Sequence, residues 1–411
     1  MQNHSQRLDL EEALSRLLTM IQSTKKTEII RLAECDGRIL SHDILAPISL
    51  PPFRSSAMDG YSVKRETYLK NPDKEFEVIG SSFAGKPFSG SMGADQCVRI
   101  FTGAVVPDVA DMVMLQERTE ILSESRVKFF ENFENEDHIR EIGNDIEKGT
   151  LVAKSKQQVT PYLIASLASL GVTQVPVFAR PIVSIFSTGD ELTDPENNES
   201  DLPLGEIYDA NRTALKALLR DLPIDLVDLG ILPDDKEKMS SSMLQAAKTS
   251  DLLVTSGGVS VGDADHVVDV ISEVGKLDFW RLNLKPGKPL AYGSINNTPI
   301  IGLPGNPVST IVTALLLLKP VITHLCGSVP SPPTRLKASL DSELSHQIGR
   351  AEYMRAHFTQ KNKEIWVSSN QDQSSNRLSS FLDSNCLIEI PKEEGNVSAG
   401  STVDIIPLNF I

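Results

Sequence analysis

The second half of the chain alternates between short apolar segments and amphipathic segments, and this alternation constrains the fold most. Short apolar runs, which indicate strands, alternate with stretches of helical periodicity. Strands that are connected by helices form a parallel sheet, and the helices cover its faces. The pattern predicts strands at 182–186, 225–229 and 252–255 and helices at 210–219, 236–247 and 266–274. The sequence therefore predicts a three-layer α/β domain built on a parallel sheet.

Acidic residues follow the predicted strands, where a parallel sheet usually binds its ligands. Glu191 follows the first strand, Asp228 lies near the end of the second, and Asp263 follows the third. The carboxyl ends of parallel strands share one edge of the sheet, and several carboxylate oxygens beside a phosphate can bind Mg²⁺. We therefore predict that these three acids ligate one magnesium ion. The alternative for each acid is a simple helix cap.

Two loops in the same half have the composition of phosphate-binding segments. Gly257 and Gly258 let backbone amides approach a phosphate closely, although a glycine pair also occurs in ordinary turns. Lys285 and Lys288 belong to the sequence KPGKP, in which prolines and a glycine make a stiff cationic loop. Such a loop suits a phosphate chain, and an exposed basic turn is the alternative.

The segment GLPGNPVS introduces the longest apolar run of the chain. Asn306 suits the N-cap position of the helix that follows, and Pro307 suits its first position. A helix N-terminus attracts anions, but a capped helix without any ligand explains these residues equally well. The apolar run 308–318 is followed by Lys319 and Pro320, and we expect it to be too short to span a bilayer.

The remaining sequence has a different texture. The N-terminal segment has helical spacing with Asp9 as a potential cap, whereas the stretch from residue 46 consists of short β-like runs between glycines and prolines. A proline-rich stretch at 329–334 precedes further β-like runs. We predict a multidomain α/β protein: a helical and extended N-terminal domain at 1–45 and 140–178, an inserted β-rich domain at 46–139, the α/β domain at 179–328, and a C-terminal β-barrel-like domain at 329–411.

Composition excludes several classes of function. The net charge of −15 argues against general nucleic-acid binding, which requires a basic surface. The four cysteines are widely spaced and form no CxxC pair, which is typical of a reducing compartment. Residues 1–18 are polar, unlike a signal peptide. We therefore expect a cytoplasmic protein that binds neither nucleic acid nor membranes.

Seven sequence strings, in order along the chain, resemble those of the MoeA-type molybdopterin molybdenumtransferases, which are related to the C-terminal half of gephyrin. They are SSAMDGYS from Ser55, IFTGAVVP from Ile100, GNDIEKG from Gly143, STGDEL from Ser187, SGGVSVGDADHV from Ser256, LKPGKPL from Leu284 and GLPGNPVS from Gly302. The resemblance runs through nearly the whole chain.

The resemblance implies a homodimer with an active cleft between subunits. It implies that adenylylated molybdopterin and molybdate are the substrates, that a divalent cation, here Mg²⁺, assists cleavage, and that AMP is released. The strings carry over Asp59, Glu191 and Asp263 as catalytic residues, and Asp228 joins them as the acid near the end of the second predicted strand. They carry over as substrate-binding residues Thr102, Asp145, Thr188, Gly257, Gly258, Ser260, Lys285, Lys288, Pro304, Asn306 and Pro307.

Molybdate is a dianion that needs hydrogen-bond donors. Thr102, Arg350 and Ser374 are candidates, and the guanidinium of Arg350 suits a tetrahedral oxyanion. The chain has Gln373-Ser374-Ser375 where the family usually has a glycine, which leaves Ser375 as an equal alternative to Ser374. The acidic loop 131–138 looks expanded relative to the family, and the sequence gives it no function.

Two other functions remain open at this point. A molybdopterin adenylyltransferase has a fold comparable with the α/β domain alone, and the strings around Asp59 and Thr102 argue against it. A non-catalytic molybdopterin-binding scaffold should have lost several of the acids and lysines that this chain retains. The adenylyltransferase and downstream cofactor-handling proteins are possible partners of the chain. The sequence does not distinguish molybdate from tungstate.

Overall fold

A computed structural model describes residues 7–130, 137–196, 202–259, 266–370 and 372–408. Its largest element is a central six-stranded sheet. The strands of this sheet, in spatial order, are Asp225–Leu232, Ile182–Thr188, Leu252–Ser256, Thr298–Leu303, Pro289–Ile295 and Gly275–Arg281.

Helices cover both faces of the central sheet, which confirms the predicted three-layer α/β arrangement. Helices Ala210–Leu219 and Pro307–Thr313 pack on one face through side chains such as Leu215 and Val312. Helices Lys236–Ala246 and His266–Val274 cover the other face. The alternating direction of side chains along each strand explains why one strand contributes to two apolar layers.

The sheet is mixed rather than fully parallel. The first four strands in spatial order run parallel, but Pro289–Ile295 pairs antiparallel with Thr298–Leu303, and Gly275–Arg281 pairs antiparallel with Pro289–Ile295. This hairpin edge was not predicted from the sequence. Its two-residue turn, Asn296-Asn297, has positive φ at both positions, which is a strong hairpin signal.

The long apolar helix continues past Lys319 and Pro320, so it is longer than the apolar run 308–318 from which its length was judged. An α-helical segment Pro307–Thr313 leads into a π-helical turn Ala314–Leu318 and a second α-helical segment Lys319–Leu325. The wider turn precedes the proline, which has no N–H to donate to the helical ladder. By length and composition this helix could cross a membrane, but 72% of its most apolar window is buried within the protein, the pattern of a core helix.

The inserted region forms a second six-stranded sheet around an aromatic core that includes Tyr68, Phe76 and Phe129. A short helix, Arg65–Lys70, packs beside it. The strands of this inserted sheet, in spatial order, are Met112–Leu115, Gly60–Val63, Gln96–Ile100, Glu75–Ser82, Arg126–Phe129 and Thr119–Ser123.

The N-terminal elements pair with a segment much later in sequence. Thr27–Arg31 pairs antiparallel with Gln174–Phe178, and Ile44–Leu45 pairs with Leu151–Ala153. The first helix is Leu10–Met20, and the second, Pro161–Ser169, is capped by the Thr160 hydroxyl. Asp9 occupies the N-cap position of the first helix without capping it; its carboxylate accepts hydrogen bonds from Asn283 and Lys392 instead.

The C-terminal region is a closed five-stranded barrel, which confirms the predicted β-barrel-like C-terminal domain. Closure comes from the pairing of the longest strand, Ala351–Lys361, with both Glu364–Ser369 and Cys386–Ile390. The other two strands are Leu336–Leu340 and Thr402–Pro407. A two-residue strand, Leu284–Lys285, pairs with the start of the longest strand and so joins the cationic loop to the barrel. The residue limits of the four domains stay a prediction.

Candidate active site

A cavity of about 650 Å³ lies where the parallel strands of the central sheet end. Two helices begin at this cavity, at Ala210 and Pro307, and their N-termini favour a bound anion. Predicted substrate-binding residues that line it are Thr188, Gly257, Gly258, Pro304, Asn306 and Pro307.

A turn of two glycines forms the floor of the cavity. Gly257 and Gly258 have φ of +92° and +66°, a region that side chains rarely adopt. A Cβ atom on Gly258 would lie 2.7 Å from the hydroxyl oxygen of Thr188 and 2.4 Å from the side chain of Val267. The turn therefore packs directly on Thr188.

Two polar atoms in the cavity wall lack hydrogen-bond partners among the described residues. They are Oγ1 of Thr188, a residue only 4% exposed, and Oδ1 of Asn211. The amide nitrogen of Asn211 donates to the carbonyl oxygen of Gly305 at 2.7 Å, which fixes the direction of its oxygen. A buried polar atom without a partner costs about 1–3 kcal/mol, so a polar ligand that pairs with these atoms would recover that energy.

Carboxylates gather at one side of the cavity, and no lysine or arginine of the described ranges forms an ion pair with them. Glu191 and Asp234 line it, and Oδ1 of Asp190 accepts the backbone N–H of Asp234 at 3.0 Å. Burial raises the pKa of Asp234; the charges of Asp190 and Glu191 add to the rise, whereas a backbone hydrogen bond from Asp190 and the charge of His266 oppose it.

Oxygen ligands whose mutual repulsion is uncompensated are the donors that Mg²⁺ prefers. The side of the cavity that Glu191 and Asp234 line therefore fits a divalent cation. Within the described ranges, no three His, Cys, Asp or Glu side chains already converge as ligands. Ser260 and Asp263, both predicted to belong to the site, lie outside the described residues.

Asp228 does not line this cavity, and it lies farther from the end of its strand than predicted. Its strand continues to Leu232, and the Asp228 carboxylate accepts hydrogen bonds from Arg212 at 2.5 Å and from the backbone N–H of Gly230 at 3.0 Å. Lys216 lies 3.1 Å away. Burial alone would raise the pKa of Asp228, but the bonds from Arg212, Gly230 and Lys216 hold it below its usual value.

The buried Arg212 binds two further acids. Its side chain donates to Asp209 at 3.0 Å and to Asp194 at 2.6 Å, and Asp209 also caps the helix that carries Arg212. Arg212 is 4% exposed and Asp209 is 1% exposed. This ion-pair cluster fastens the segment before the helix to the sheet edge, which places Asn211 at the cavity.

The cationic loop is tied to the barrel. Both oxygens of Glu352, which is 2% exposed, lie within 3.1 Å of Nζ of Lys285. His346 is buried beside Glu352, and its ring nitrogens contact the carbonyl oxygens of Glu394 and Arg350. Lys285 is thereby held at the base of the turn that carries Arg350. Lys285 and Lys288 are both exposed to solvent, and Lys285 is the one held by an ion pair to a buried acid.

The two serines that the sequence left as alternatives have different surroundings. The hydroxyl and the N–H of Ser374 both donate to Asp372. The hydroxyl of Ser375 accepts a hydrogen bond from the side-chain amide of Asn306 at 3.1 Å. Asn306 occupies the N-cap position but makes no side-chain cap, which corrects the predicted role of its amide. Ser375 is therefore the serine that contacts a cavity residue.

A fully buried arginine, Arg355, lies at this barrel edge near the predicted molybdate-binding residue Arg350. Arg355 is 1% exposed and donates to the hydroxyl of Ser380 at 3.0 Å and to the carbonyl oxygen of Ser374 at 3.1 Å. Its guanidinium therefore shapes the serine loop. Arg350 is half-buried.

Asp59 and Thr102 form a pair of their own on the inserted sheet. Oδ1 of Asp59 accepts the backbone N–H and the hydroxyl of Thr102, both at 2.8 Å. These bonds and the charge of Arg99 lower the pKa of Asp59. Neither residue lines the central cavity, and neither does the exposed Asp145. Within one chain, the predicted site residues thus fall into two separate groups.

Sequence reasoning missed Asp234, Asn211 and Glu352. Asp234 could have been found, because it is the first acid after the true end of its strand, in the sequence LPDD. Asn211 follows a helix-capping aspartate, which is a weak signal. Glu352 gave no signal, since its partner Lys285 lies 67 residues earlier in the chain.

Three family descriptions match the chain and together span most of it. The description "MoeA N-terminal region (domain I and II)" matches residues 8–171, "Probable molybdopterin binding domain" matches residues 184–324, and "MoeA C-terminal region (domain IV)" matches residues 337–408.

Relatives match over nearly the full chain. The molybdopterin molybdenumtransferase of Haemophilus influenzae is 38% identical over 98% of this chain and 99% of its own length. The Nostoc sp. protein of the same name is 31% identical over 97% of this chain and 93% of its own length. Dictyostelium discoideum gephyrin is 32% identical over 97% of this chain but only 62% of its own length.

Two solved structures of the molybdopterin biosynthesis protein MoeA from Pyrococcus horikoshii share the fold. One is 28% identical with a TM-score of 0.81, covering 98% of this chain and 99% of that chain. The other is 26% identical with a TM-score of 0.83, covering 98% of this chain and 100% of that chain.

Proposed function

This chain belongs to the MoeA family of molybdopterin molybdenumtransferases, enzymes of molybdenum cofactor biosynthesis, and we propose that it inserts molybdate into adenylylated molybdopterin in a Mg²⁺-dependent reaction that releases AMP. The observation that carries the finer proposal is the central cavity. It combines two helix N-termini, unpaired polar atoms and uncompensated carboxylates in one space.

The cavity suits the pyrophosphate part of such a substrate. The hydroxyl of Thr188 and the turn at Gly257 and Gly258 offer hydrogen bonds close to the floor. Glu191 and Asp234 are the described residues that would hold Mg²⁺, which would neutralise negative charge on the phosphates. Asp263 stays a prediction as a further ligand.

Molybdate, the second substrate, would bind towards the barrel. Lys285 is fixed there by Glu352, and Arg350 follows Gly349 in a turn that His346 holds through the carbonyl oxygen of Arg350. A guanidinium and an ammonium are suitable donors for a dianion. Ser375 is the serine that we place beside them, because Asn306 orients its hydroxyl.

The site would be completed by a second copy of the chain. Asp59 and Thr102 are fixed to each other, yet they do not line the cavity of their own chain. In a two-fold symmetric dimer, each of two equivalent clefts can combine a cavity from one subunit with an Asp59–Thr102 pair from its partner. This arrangement makes the homodimer a requirement for activity.

The test is a reconstitution with purified protein, adenylylated molybdopterin, molybdate and MgCl₂, in which AMP release and cofactor formation are both measured. We expect both products only when molybdate and Mg²⁺ are present, and EDTA should stop the reaction. Consumption of ATP with molybdopterin alone would instead indicate an adenylyltransferase. Binding without any turnover would indicate a scaffold, and either result would refute the proposal.

A further inference from the structure

A row of stacked side chains lies beside the Asp59–Thr102 pair. The rings of Phe83 and Phe101 are stacked, with centroids 4.6 Å apart and an interplanar angle of 11°. Behind Phe101, the guanidinium carbon of Arg99 lies 4.8 Å from the Phe101 ring centroid and 4.9 Å from that of Tyr61. Phe83 stands at the outer end of this row and is 47% exposed.

The backbone holds Phe83 firmly in place. Phe83 exchanges two backbone hydrogen bonds with Lys86, at 3.0 and 2.9 Å, across a tight turn in which Gly85 has φ of +77°. The hydroxyl of the fully buried Ser82 donates to the carbonyl oxygen of Val105 at 2.8 Å. The ring is therefore oriented before any ligand arrives, which lowers the entropic cost of binding.

Arg99 fixes the inner end of the row in the same way. Its guanidinium donates to the carbonyl oxygen of Gly60 at 2.9 Å and to the side-chain oxygen of Gln116. Since Arg99 is held by hydrogen bonds and lies between two rings, Phe101 cannot move inwards. Phe83 thus rests on a rigid base.

A second phenylalanine of the same segment, Phe88, packs its ring against the local backbone. The segment can therefore cover an aromatic ring, and the exposure of Phe83 is a separate feature. The ring of Phe88 fills the space beside two glycines: a Cβ on Gly80 would lie 2.7 Å from it, and one on Gly90 would lie 2.4 Å from it. The segment therefore covers one aromatic ring closely and leaves the other open.

We propose that Phe83 is a stacking platform for a planar fused pyrimidine ring of the substrate. This inference rests on the proposed function, whose substrate contains two such rings, a pterin and an adenine. Phe101 is followed directly by Thr102, which binds Asp59, so the platform adjoins the pair assigned to the shared cleft. A nucleobase-like ring stacks on an exposed aromatic side chain with roughly a 5- to 100-fold gain in affinity.

The experiment compares Phe83→Ala and Phe83→Trp with the native protein and with Phe130→Ala. Phe130 is also an exposed phenylalanine next to the inserted sheet, 55% exposed, and its substitution is the matched control. Binding of adenylylated molybdopterin is measured by calorimetry without molybdate. AMP and tetrahydropterin are then titrated separately to show which ring occupies the platform.

We expect Phe83→Ala to weaken binding of adenylylated molybdopterin about tenfold and to weaken one of the two ring probes equally, while Phe83→Trp and Phe130→Ala bind normally. Molybdate affinity and the thermal midpoint Tm should be unchanged. Equal affinities for Phe83→Ala and the native protein would overturn the proposal. So would loss of the dimer in Phe83→Ala by sedimentation, because Phe83 would then belong to a protein interface.

Failure of the proposed function gives a different result. A native protein that releases no AMP but binds the ring in a Phe83-dependent way would retain the platform and lose the transferase proposal. A native protein that releases AMP with Phe83→Ala unimpaired in binding would retain the transferase proposal and lose the platform.

Discussion

Two acidic regions flank the same edge of the central sheet, and they differ in how their charges are compensated. Around Arg212, the carboxylates of Asp194, Asp209 and Asp228 are bound by one buried guanidinium. At Asp234, burial raises the pKa of the carboxyl, and the negative charges of Asp190 and Glu191 add to the rise. The first region is neutralised by a cation of the chain itself, whereas the second is the region in which we propose that Mg²⁺ binds.

We propose that this difference separates acids that stabilise the fold from acids that bind a ligand. A carboxylate paired with a buried arginine contributes through that pair, and removing it leaves a buried charge unpaired. A carboxylate held near others contributes repulsion until a ligand neutralises it. The following predictions test that distinction.

The largest effect is expected for Asp234→Asn. An asparagine side chain has nearly the shape of aspartate but carries no charge. The Mg²⁺-dependent release of AMP should therefore fall roughly 100-fold or more. Because repulsion from Asp190 and Glu191 is relieved, Tm should stay the same or rise. AMP release across a MgCl₂ titration and a thermal melt would check both parts. Native turnover in this variant would remove Asp234 from the site.

Complementation between subunits tests whether the cavity works with Asp59 of the partner chain. Asp59→Ala and Asp234→Ala should each be nearly inactive alone. After random subunit exchange, half of the dimers are mixed and each has one intact cleft, so roughly a quarter of native activity should return.

Exchange must be shown independently, for example with two affinity tags on differently tagged variants. A mixture of either variant with itself is the control and should stay inactive. If activity does not return after demonstrated exchange, Asp59 and Asp234 act within one chain, and the shared cleft is refuted.

Asp228→Asn should affect stability rather than catalysis. Arg212 would lose one of its three carboxylates while remaining buried, which should cost about 1–3 kcal/mol. We expect a lower Tm and native Mg²⁺ dependence of AMP release. Asp225→Asn is a matched control on the same strand, because Asp225 is exposed and its nearest cation, Arg180, lies 4.0 Å away. A Mg²⁺ requirement altered in Asp228→Asn but not in the control would contradict the structural role.

The contrast between Asp228 and Asp234 also shows what the sequence could predict. Periodicity identified the helix Ala210–Leu219 and the alternation that builds three layers, because both depend on local pattern. It placed the end of the strand three residues too early, so Asp228 was expected closer to the strand end than it lies and Asp234 was not considered. Strand ends depend on the neighbouring strand, here with an irregular register between Ile185 and Ser187.

Other site contacts join residues too distant in sequence for local pattern to predict. Asp59 meets Thr102 across 43 residues, and Lys285 meets Glu352 across 67. The family resemblance supplied Asp59 and Thr102 as site residues, but their mutual hydrogen bonds needed the fold. Asn306 was expected to cap its helix, and only the barrel loop that brings Ser375 nearby explains why its amide points elsewhere.

The smallest effect, and the most direct comparison of the two regions, is the pH dependence of stability. Asp234 has a pKa raised above its usual 3.8, so the folded protein binds a proton more readily than the unfolded chain there. The repulsion is therefore present at neutral pH and is relieved as the pH falls towards that usual value. Asp228 has a pKa held below 3.8, so its stabilisation is present above that value and is lost only as the pH falls through its lower folded-state pKa.

Thermal melts between pH 7 and about 4.5 compare the native protein with Asp234→Asn and Asp228→Asn. The change in Tm caused by the two substitutions should differ in sign. The advantage of Asp234→Asn over the native protein should shrink on acidification, and added Mg²⁺ at neutral pH should remove it as well, since a bound cation neutralises the same charges. The deficit of Asp228→Asn should stay constant over this range and should not respond to Mg²⁺. Parallel changes in the two variants would mean that both acids belong to one electrostatic cluster, and the distinction between a compensated and an uncompensated region would be lost.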